Sequence, residues 1–348
     1  MKTLYVLLTL CIPFVLSAQK SIEQIEELEL EKIASHSKSE FWLKMIDNGM
    51  SQPVQVPVII IKGKNTHPIL CLTAAIHGNE LNGIKVIHEV VDNIDPLNFN
   101  GTLIAIPGLN AISIPQHQRR YIDEEDLNRN FPGKENGNRS QQYVWQINSK
   151  ILSKIDYLVD LHTASFGRVN SLYVRATLDD EQMAKMAELQ DADIILNSNG
   201  PSANDQISAT RTMRSEAMLK GIPTITVEYG DPQVFQPQLI ERGKRGIENV
   251  MAWLNMTGEK IQPVPSPVVC KKSYWIYVSE GGYLDIQVDV RQKLKKGELI
   301  AVMRNPFGEV INEYYCPEDG IVIGKSSNPV NMDGGRIIHL GILDEHRN

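Results

Sequence analysis

The chain has 348 residues, 42% hydrophobic and 22% charged, enough for one large domain or two of unequal size. The formal net charge is −7 and no basic block stands out, which argues against a nucleic-acid partner. No stretch after residue 18 is long and apolar enough to cross a membrane.

Residues 1–18 read as a secretory signal peptide. Lys2 supplies the positive start, residues 4–16 are apolar, and Ser17 and Ala18 are small residues suited to cleavage. The expected product is exported, periplasmic or secreted, with no stable membrane insertion after the signal is removed. Cys71, Cys270 and Cys316 then remain, an odd number that excludes a disulfide framework. Cys71 lies in an apolar run and reads as a buried thiol, while Cys270 and Cys316 are close enough in sequence to be a candidate pair.

Residues 19–50 are expected to form an N-terminal helical segment, from Ile22, Ile25, Leu28, Leu30 and Ile33 spaced among glutamates. Extended and helical patterns then alternate. Strands are expected at 54–61, 68–76, 102–107, 157–161 and 223–227. Helices are expected at 81–91, 140–155, 181–189, 209–220 and 239–254. This alternation predicts an α/β domain with a largely parallel or mixed sheet over residues 51–258, whose ligands bind beyond the carboxyl ends of the strands. Residues 259–269 form a proline-rich linker. Beyond it, residues 270–348 carry short extended runs at 273–278, 283–288, 299–303, 320–323 and 336–342, punctuated by turns, and read as a small all-β domain.

Four segments carry candidate chemistry, mostly at strand ends. His77-Gly78-Asn79-Glu80 follows one strand. Imidazole nitrogen and carboxylate oxygen are zinc donors, and a catalytic zinc takes three protein ligands, but a lone His-x-x-Glu is a weak motif. His162 ends another strand, with Asp160 two residues before it. It is either a ligand with a carboxylate partner or a satisfied core histidine, and Asp160 either supports its ring or orients other groups. Asp126 to Gly133 (DLNRNFPG), preceded by Arg119-Arg120, offers guanidinium and amide donors suited to a carboxylate, or is a surface turn. Glu228 follows the apolar strand PTIT, where a carboxylate is costly unless paired or used as a general base.

Taken together, AAIHGNELNG (74–83), RYIDEEDLNRNFPG (120–133), DLHTA (160–164) and TVEYG (226–230) resemble the succinylglutamate desuccinylase/aspartoacylase family of the zinc carboxypeptidase superfamily. The resemblance runs from about residue 53 to 254 and more loosely beyond. It implies a mixed-sheet α/β/α catalytic domain followed by a small barrel-like β domain. It implies one zinc ion held by His77, Glu80 and His162, with Glu228 as general base and acid. Asn128 and Arg129 would bind the substrate carboxylate and Arg120 would polarise the scissile carbonyl, with Arg119 able to exchange roles with Arg120. The implied activity is hydrolysis of an N-acyl amino acid or a similar carboxylate-bearing small molecule or short peptide. Two further readings stand beside it: an exported metallocarboxypeptidase or amidase acting on peptides, and a zinc-free binding protein. Arg168 and Arg175 read as surface residues, or else as readers of an acidic group.

Overall fold

The computed structural model describes residues 21–198 and 210–347. The expected leader lies outside these, as does the start of the helix expected at 209–220. Among the described residues, no helix is long and apolar enough to cross a membrane.

The N-terminal segment is extended rather than helical. It forms β1 (Glu23–Ile25) and β2 (Ser37–Asp47), and β2 pairs antiparallel with β3 (Pro53–Lys62) along its length. The apolar spacing of Ile22, Ile25, Leu28, Leu30 and Ile33 never settles into a 3.6-residue period, and the glutamates supplied helix propensity alone. Pairing with β3 and burial of Leu28, Leu30, Leu43 and Met45 override that weak preference.

The elements that follow are β4 (Ile69–Ala74), α1 (Asn82–Asp92), β5 (Thr102–Ile106), α2 (Arg139–Lys150), β6 (Tyr157–His162), β7 (Arg168–Asn170), β8 (Leu172–Ala176), α3 (Glu181–Glu188), β9 (Ile194–Asn197), α4 (Met213–Leu219), β10 (Thr224–Tyr229) and α5 (Pro237–Trp253). The sheet runs in the order β1-β2-β3-β5-β4-β6-β10-β8-β9. Its centre, from β5 to β10, is parallel, with antiparallel steps at β3–β5 and β10–β8. Central strands such as β4 and β5 are buried at every position, because helices cover both faces. Val86, Met186, Ile240 and Val250 of α1, α3 and α5 pack on one face. Tyr143, Val144, Met213 and Ala217 of α2 and α4 pack on the other. The result is the expected α/β/α layering.

The C-terminal region is all-β: β11 (Val268–Tyr277), β12 (Gly282–Ile286), β13 (Lys293–Leu294), β14 (Leu299–Arg304), β15 (Val310–Tyr315), β16 (Gly320–Ser326), β17 (Val330–Asn331) and β18 (Arg336–Leu343). It is not separated from the first sheet. Val268–Cys270 of β11 pairs parallel with Ile194–Leu196 of β9, so the sheet continues through β11, β18, β16 and β13. β15, β14, β12 and β17 form a second sheet. Tyr173, Ile194, Leu196, Cys270, Ile321 and Ile323 form an apolar cluster across the junction.

Cys270 and Cys316 do not pair. Both are free and buried, Cys270 in the junction cluster and Cys316 in the separate core of the β region. Burial pushes both thiols up, Cys270 to about 12.

Candidate active site

The site is built on two rows of residues running across neighbouring strands. In the first, Thr73, Asp160, Thr226 and Arg175 of β4, β6, β10 and β8 are successive register partners. In the second, His162, Glu228 and Tyr173 are. Since side chains two apart on a strand share a face, both rows point into one cavity at the carboxyl ends of β6 and β10.

His77 and Glu80 reach the same place from the turn after β4. Ala75 takes φ +57° there, a left-handed conformation unusual for a residue with a side chain. Gly78 is required by close approach: a Cβ would lie 2.3 Å from the Ser113 carbonyl carbon. The turn delivers Glu80 just before α1.

The three expected ligands converge, with donor atoms within 4.8 Å of one another. His162 Nε2 is 2.7 Å from Asp160 Oδ2, and His77 Nε2 is 2.9 Å from Asp126 Oδ1. These carboxylates accept the Nε2 protons and turn both Nδ1 atoms toward Glu80. His162 Nδ1 is 2.8 Å from Glu80 Oε2 and His77 Nδ1 is 3.0 Å from Glu80 Oε1. His77 Nδ1 is nonetheless buried without a well-directed hydrogen bond. Two lone pairs facing two carboxylate oxygens need positive charge between them, and the two-histidine, one-carboxylate donor set fits a divalent cation. Without the cation a proton serves. Burial opposes it, but Asp160 and then Glu80 hold the His162 imidazole well above its ordinary pKa. Burial likewise opposes ionisation of Glu80, and the two imidazoles hold its carboxyl well below the usual carboxylate range. Asp160 also accepts from Thr73 Oγ1 at 2.8 Å, so the expected partner of His162 is itself held in place.

Glu228 stands beside this centre, with its Oε2 3.3 Å from Asn170 Nδ2. Burial raises its pKa and the Glu80 carboxylate adds to this, while His162, Arg175 and Arg168 pull it down. The net shift is upward, as suits a proton acceptor.

The two adjacent arginines part company. Arg119 donates to Glu80 Oε1 at 2.8 Å and to Asp126 Oδ2 at 3.0 Å and lines the cavity. Arg120 is exposed and donates to the Glu124 carbonyl at 2.9 Å. This overturns the expectation for Arg120: successive residues of the turn point opposite ways, and only Arg119 faces the centre. If Arg119 takes the carbonyl-polarising role that the resemblance implies for one of the two arginines, Arg119→Ala should lower kcat/KM by about 100-fold or more and Arg120→Ala by less than about 3-fold. Steady-state kinetics on both variants checks this, and equal losses would reject the assignment.

Asn128 and Arg129 sit on a short 3₁₀ turn at the cavity wall. Asp126 caps the turn by accepting from the Asn128 backbone N–H at 2.9 Å. The Asn128 side-chain oxygen accepts from the Met213 backbone N–H at 2.8 Å. Arg168 and Arg175 are cavity residues, not surface ones, and Arg214 joins them. Arg175 donates to the Tyr173 hydroxyl at 2.7 Å with its guanidinium 5.1 Å from that ring centre. Burial and then Arg175 lower the Arg214 pKa to about 10. Period-two alternation in Leu172–Ala176 places Tyr173 and Arg175 on one face. Asp126 lies in the DLNRNFPG motif, where nothing local in the sequence marks it as the partner of His77. Trp275 and His339 also line the cavity, from β11 and β18. Only the polar His339 within the apolar run RIIHLGIL hinted at this.

The sequence profile of the succinylglutamate desuccinylase/aspartoacylase catalytic domain matches residues 66–254. The chain belongs to this family. It is similar to the N-alpha-acetyl-L-2,4-diaminobutyric acid deacetylase of Halomonas elongata, at 22% identity over 78% of this chain and 81% of that protein. The fold is shared with a succinylglutamate desuccinylase from Silicibacter sp. TM1040 (TM-score 0.78, 20% identity, 90% of this chain and 98% of that one). It is shared also with the product-bound ectoine utilization protein EutE (DoeB) from Ruegeria pomeroyi (TM-score 0.79, 19% identity, 89% and 97%). The match to the family's catalytic domain ends at residue 254, so Trp275 and His339 lie outside it.

Proposed function

We propose that the protein is a zinc-dependent deacylase that hydrolyses the amide bond of an N-acyl amino acid. The observation that carries this reading is the placement of Glu228 as the register partner of His162 in the cavity where His77, Glu80 and His162 converge. The named activities of the relatives, deacetylation and desuccinylation of amino-acid derivatives, agree with it.

His77 and His162 through Nδ1, and Glu80 through its carboxylate, would hold one zinc ion per chain. Zinc supplies Lewis acidity, polarising a carbonyl oxygen and acidifying water. Glu228 takes a proton from the attacking water and delivers it to the amine nitrogen as the C–N bond breaks. Arg119 donates to the oxygen that gains charge on the carbonyl. Asn128 and Arg129 hold the substrate carboxylate. Amide and water become a carboxylate and an amine.

The described residues line an open cavity of about 290 Å³, close to the lower bound of the ~300–1,000 Å³ usual for small-molecule pockets. That size accommodates an acylated amino acid. The experiment is a screen of the zinc-loaded protein against N-acyl amino acids and short peptides, with zinc content measured in parallel. Turnover of the first class alone is expected. A protein that takes up no zinc, or that cleaves peptides alone, would overturn the reading.

We propose export as well, on the apolar run at 4–16 and the small residues 17 and 18. Fractionation should place the protein outside the cytosol with Gln19 at its amino terminus. A cytosolic chain still carrying residues 1–18 would reject it.

A further inference from the structure

The two ends of the cavity are built from different parts of the chain. At one end, the segment carrying Asn128 and Arg129 is tied to the cation site: Asp126 touches His77 at 2.9 Å and Arg119 touches Glu80 at 2.8 Å. From there the strands step through His162 on β6, Glu228 on β10 and Tyr173 on β8. Beyond Tyr173 the cavity meets two side chains from the C-terminal strands, Trp275 and His339.

These two form a stiff wall. They are register partners on β11 and β18, and their rings stack with centres 5.1 Å apart and planes 12° apart. His339 meets the Tyr173 ring edge-on at 6.3 Å, and the Arg336 guanidinium lies 5.3 Å from the Trp275 ring centre. His339 Nε2 is 2.8 Å from Ser273 Oγ, on the same strand face as Trp275. His339 is only 5% exposed. Burial, then Arg175 and Arg168, push its imidazole down to about 3, so the wall carries no charge of its own at neutral pH. His339, buried between Trp275, Ser273 and Tyr173, has little room to yield to a larger ligand.

We propose that Trp275 and His339 are specificity-determining residues that restrict the acyl group of the substrate to a short chain. This rests on the deacylase reading. With the substrate carboxylate at Asn128 and Arg129 and the scissile carbonyl between the cation site and Glu228, the acyl chain extends past Tyr173 toward the wall. Each methylene too many must then displace packed rings.

The test uses the full-length zinc-loaded protein, Trp275→Ala and the milder Trp275→Phe. Hydrolysis is compared for acetyl, butyryl and hexanoyl derivatives of one amino acid. The hexanoyl-to-acetyl ratio of kcat/KM is expected to rise about 10-fold or more in Trp275→Ala and by less in Trp275→Phe, the range that fitting one or two methylenes commands. With acetyl fixed, the ratio between two amino acids should move less than about 3-fold. A merely structural role would lower all substrates alike, so an unmoved acyl ratio, or movement on the amino-acid side alone, overturns the proposal. Calorimetric binding of acetate, butyrate and hexanoate to the same proteins is a second readout that needs no turnover. Wild type should bind hexanoate at least about 10-fold more weakly than butyrate, and Trp275→Ala should remove that difference. Equal binding of the two by wild type, or no binding of any of them, would also overturn it. Absence of turnover together with the expected binding order would count against the deacylase reading and not against the wall.

Discussion

Glu228→Gln is expected to lower kcat/KM by about 1,000-fold, within the range a positioned general base supplies, while zinc content stays at the wild-type level. Glutamine keeps the shape and can accept from Asn170, but it cannot take a proton. Glu228 is the register partner of His162 without being one of the three converging ligands, so its loss should spare the metal. The pH profile gives an independent check. The base must be ionised, and burial together with Glu80 holds the Glu228 carboxyl above the ordinary carboxylate value. Wild-type kcat/KM should therefore fall on the acid side, and the residual activity of Glu228→Gln should lack this limb. Stability carries the opposite sign. A group whose pKa rises on folding contributes stability that is present below its unfolded value and lost as pH climbs through its folded value. Metal-free Glu228→Gln should thus melt above metal-free wild type at pH 8 and together with it at pH 4. Wild-type activity in the variant would remove Glu228 from the mechanism.

That trade of stability for chemistry also marks where the sequence was legible. Glu228 stood out because a carboxylate ending an apolar strand breaks the local pattern, and His162 for the same reason. The α/β order was legible from apolar runs such as 68–76, which central strands buried on both faces must have. What failed was whatever depended on tertiary pairing. The residues of β2 read as part of a helix until β3 lies beside them. Arg119 and Arg120 are chemically alike, and only the path of their turn decides which one faces Glu80. The wall of Trp275 and His339 was hidden more deeply. A proline-rich stretch suggested a separate domain, yet β11 joins β9 and carries the following strands round to the cavity. Period and propensity speak about a residue's neighbours in sequence, and the far end of this site has none there.

His162→Ala is expected to abolish turnover and to leave less than about a tenth of the wild-type zinc after dialysis, since three donors become two. Asp160→Asn tests the subtler claim. Asp160 touches no cation in the proposed arrangement and acts through His162, accepting its Nε2 proton so that the Nδ1 lone pair faces Glu80. Asparagine can present either its oxygen or its amide to that nitrogen, and it brings no charge to the ring. Zinc affinity measured by chelator competition should drop about 10- to 100-fold, the usual cost of losing such a partner, while saturating zinc should restore much of the activity. A proton count separates this from simple misfolding. In the metal-free protein, Asp160 and then Glu80 raise the His162 pKa well above its ordinary value against the opposing effect of burial. Near pH 7, zinc must therefore displace a proton from wild type. Asp160→Asn, lacking the largest contribution that raises this pKa, should release fewer. Calorimetry of zinc binding in two buffers of different ionisation enthalpy reads that number directly. Equal proton release and equal affinity in wild type and Asp160→Asn would reduce the carboxylate to a structural neighbour. The expected difference would show that one buried pair, two residues apart on β6, sets both where the cation sits and what it must displace to bind.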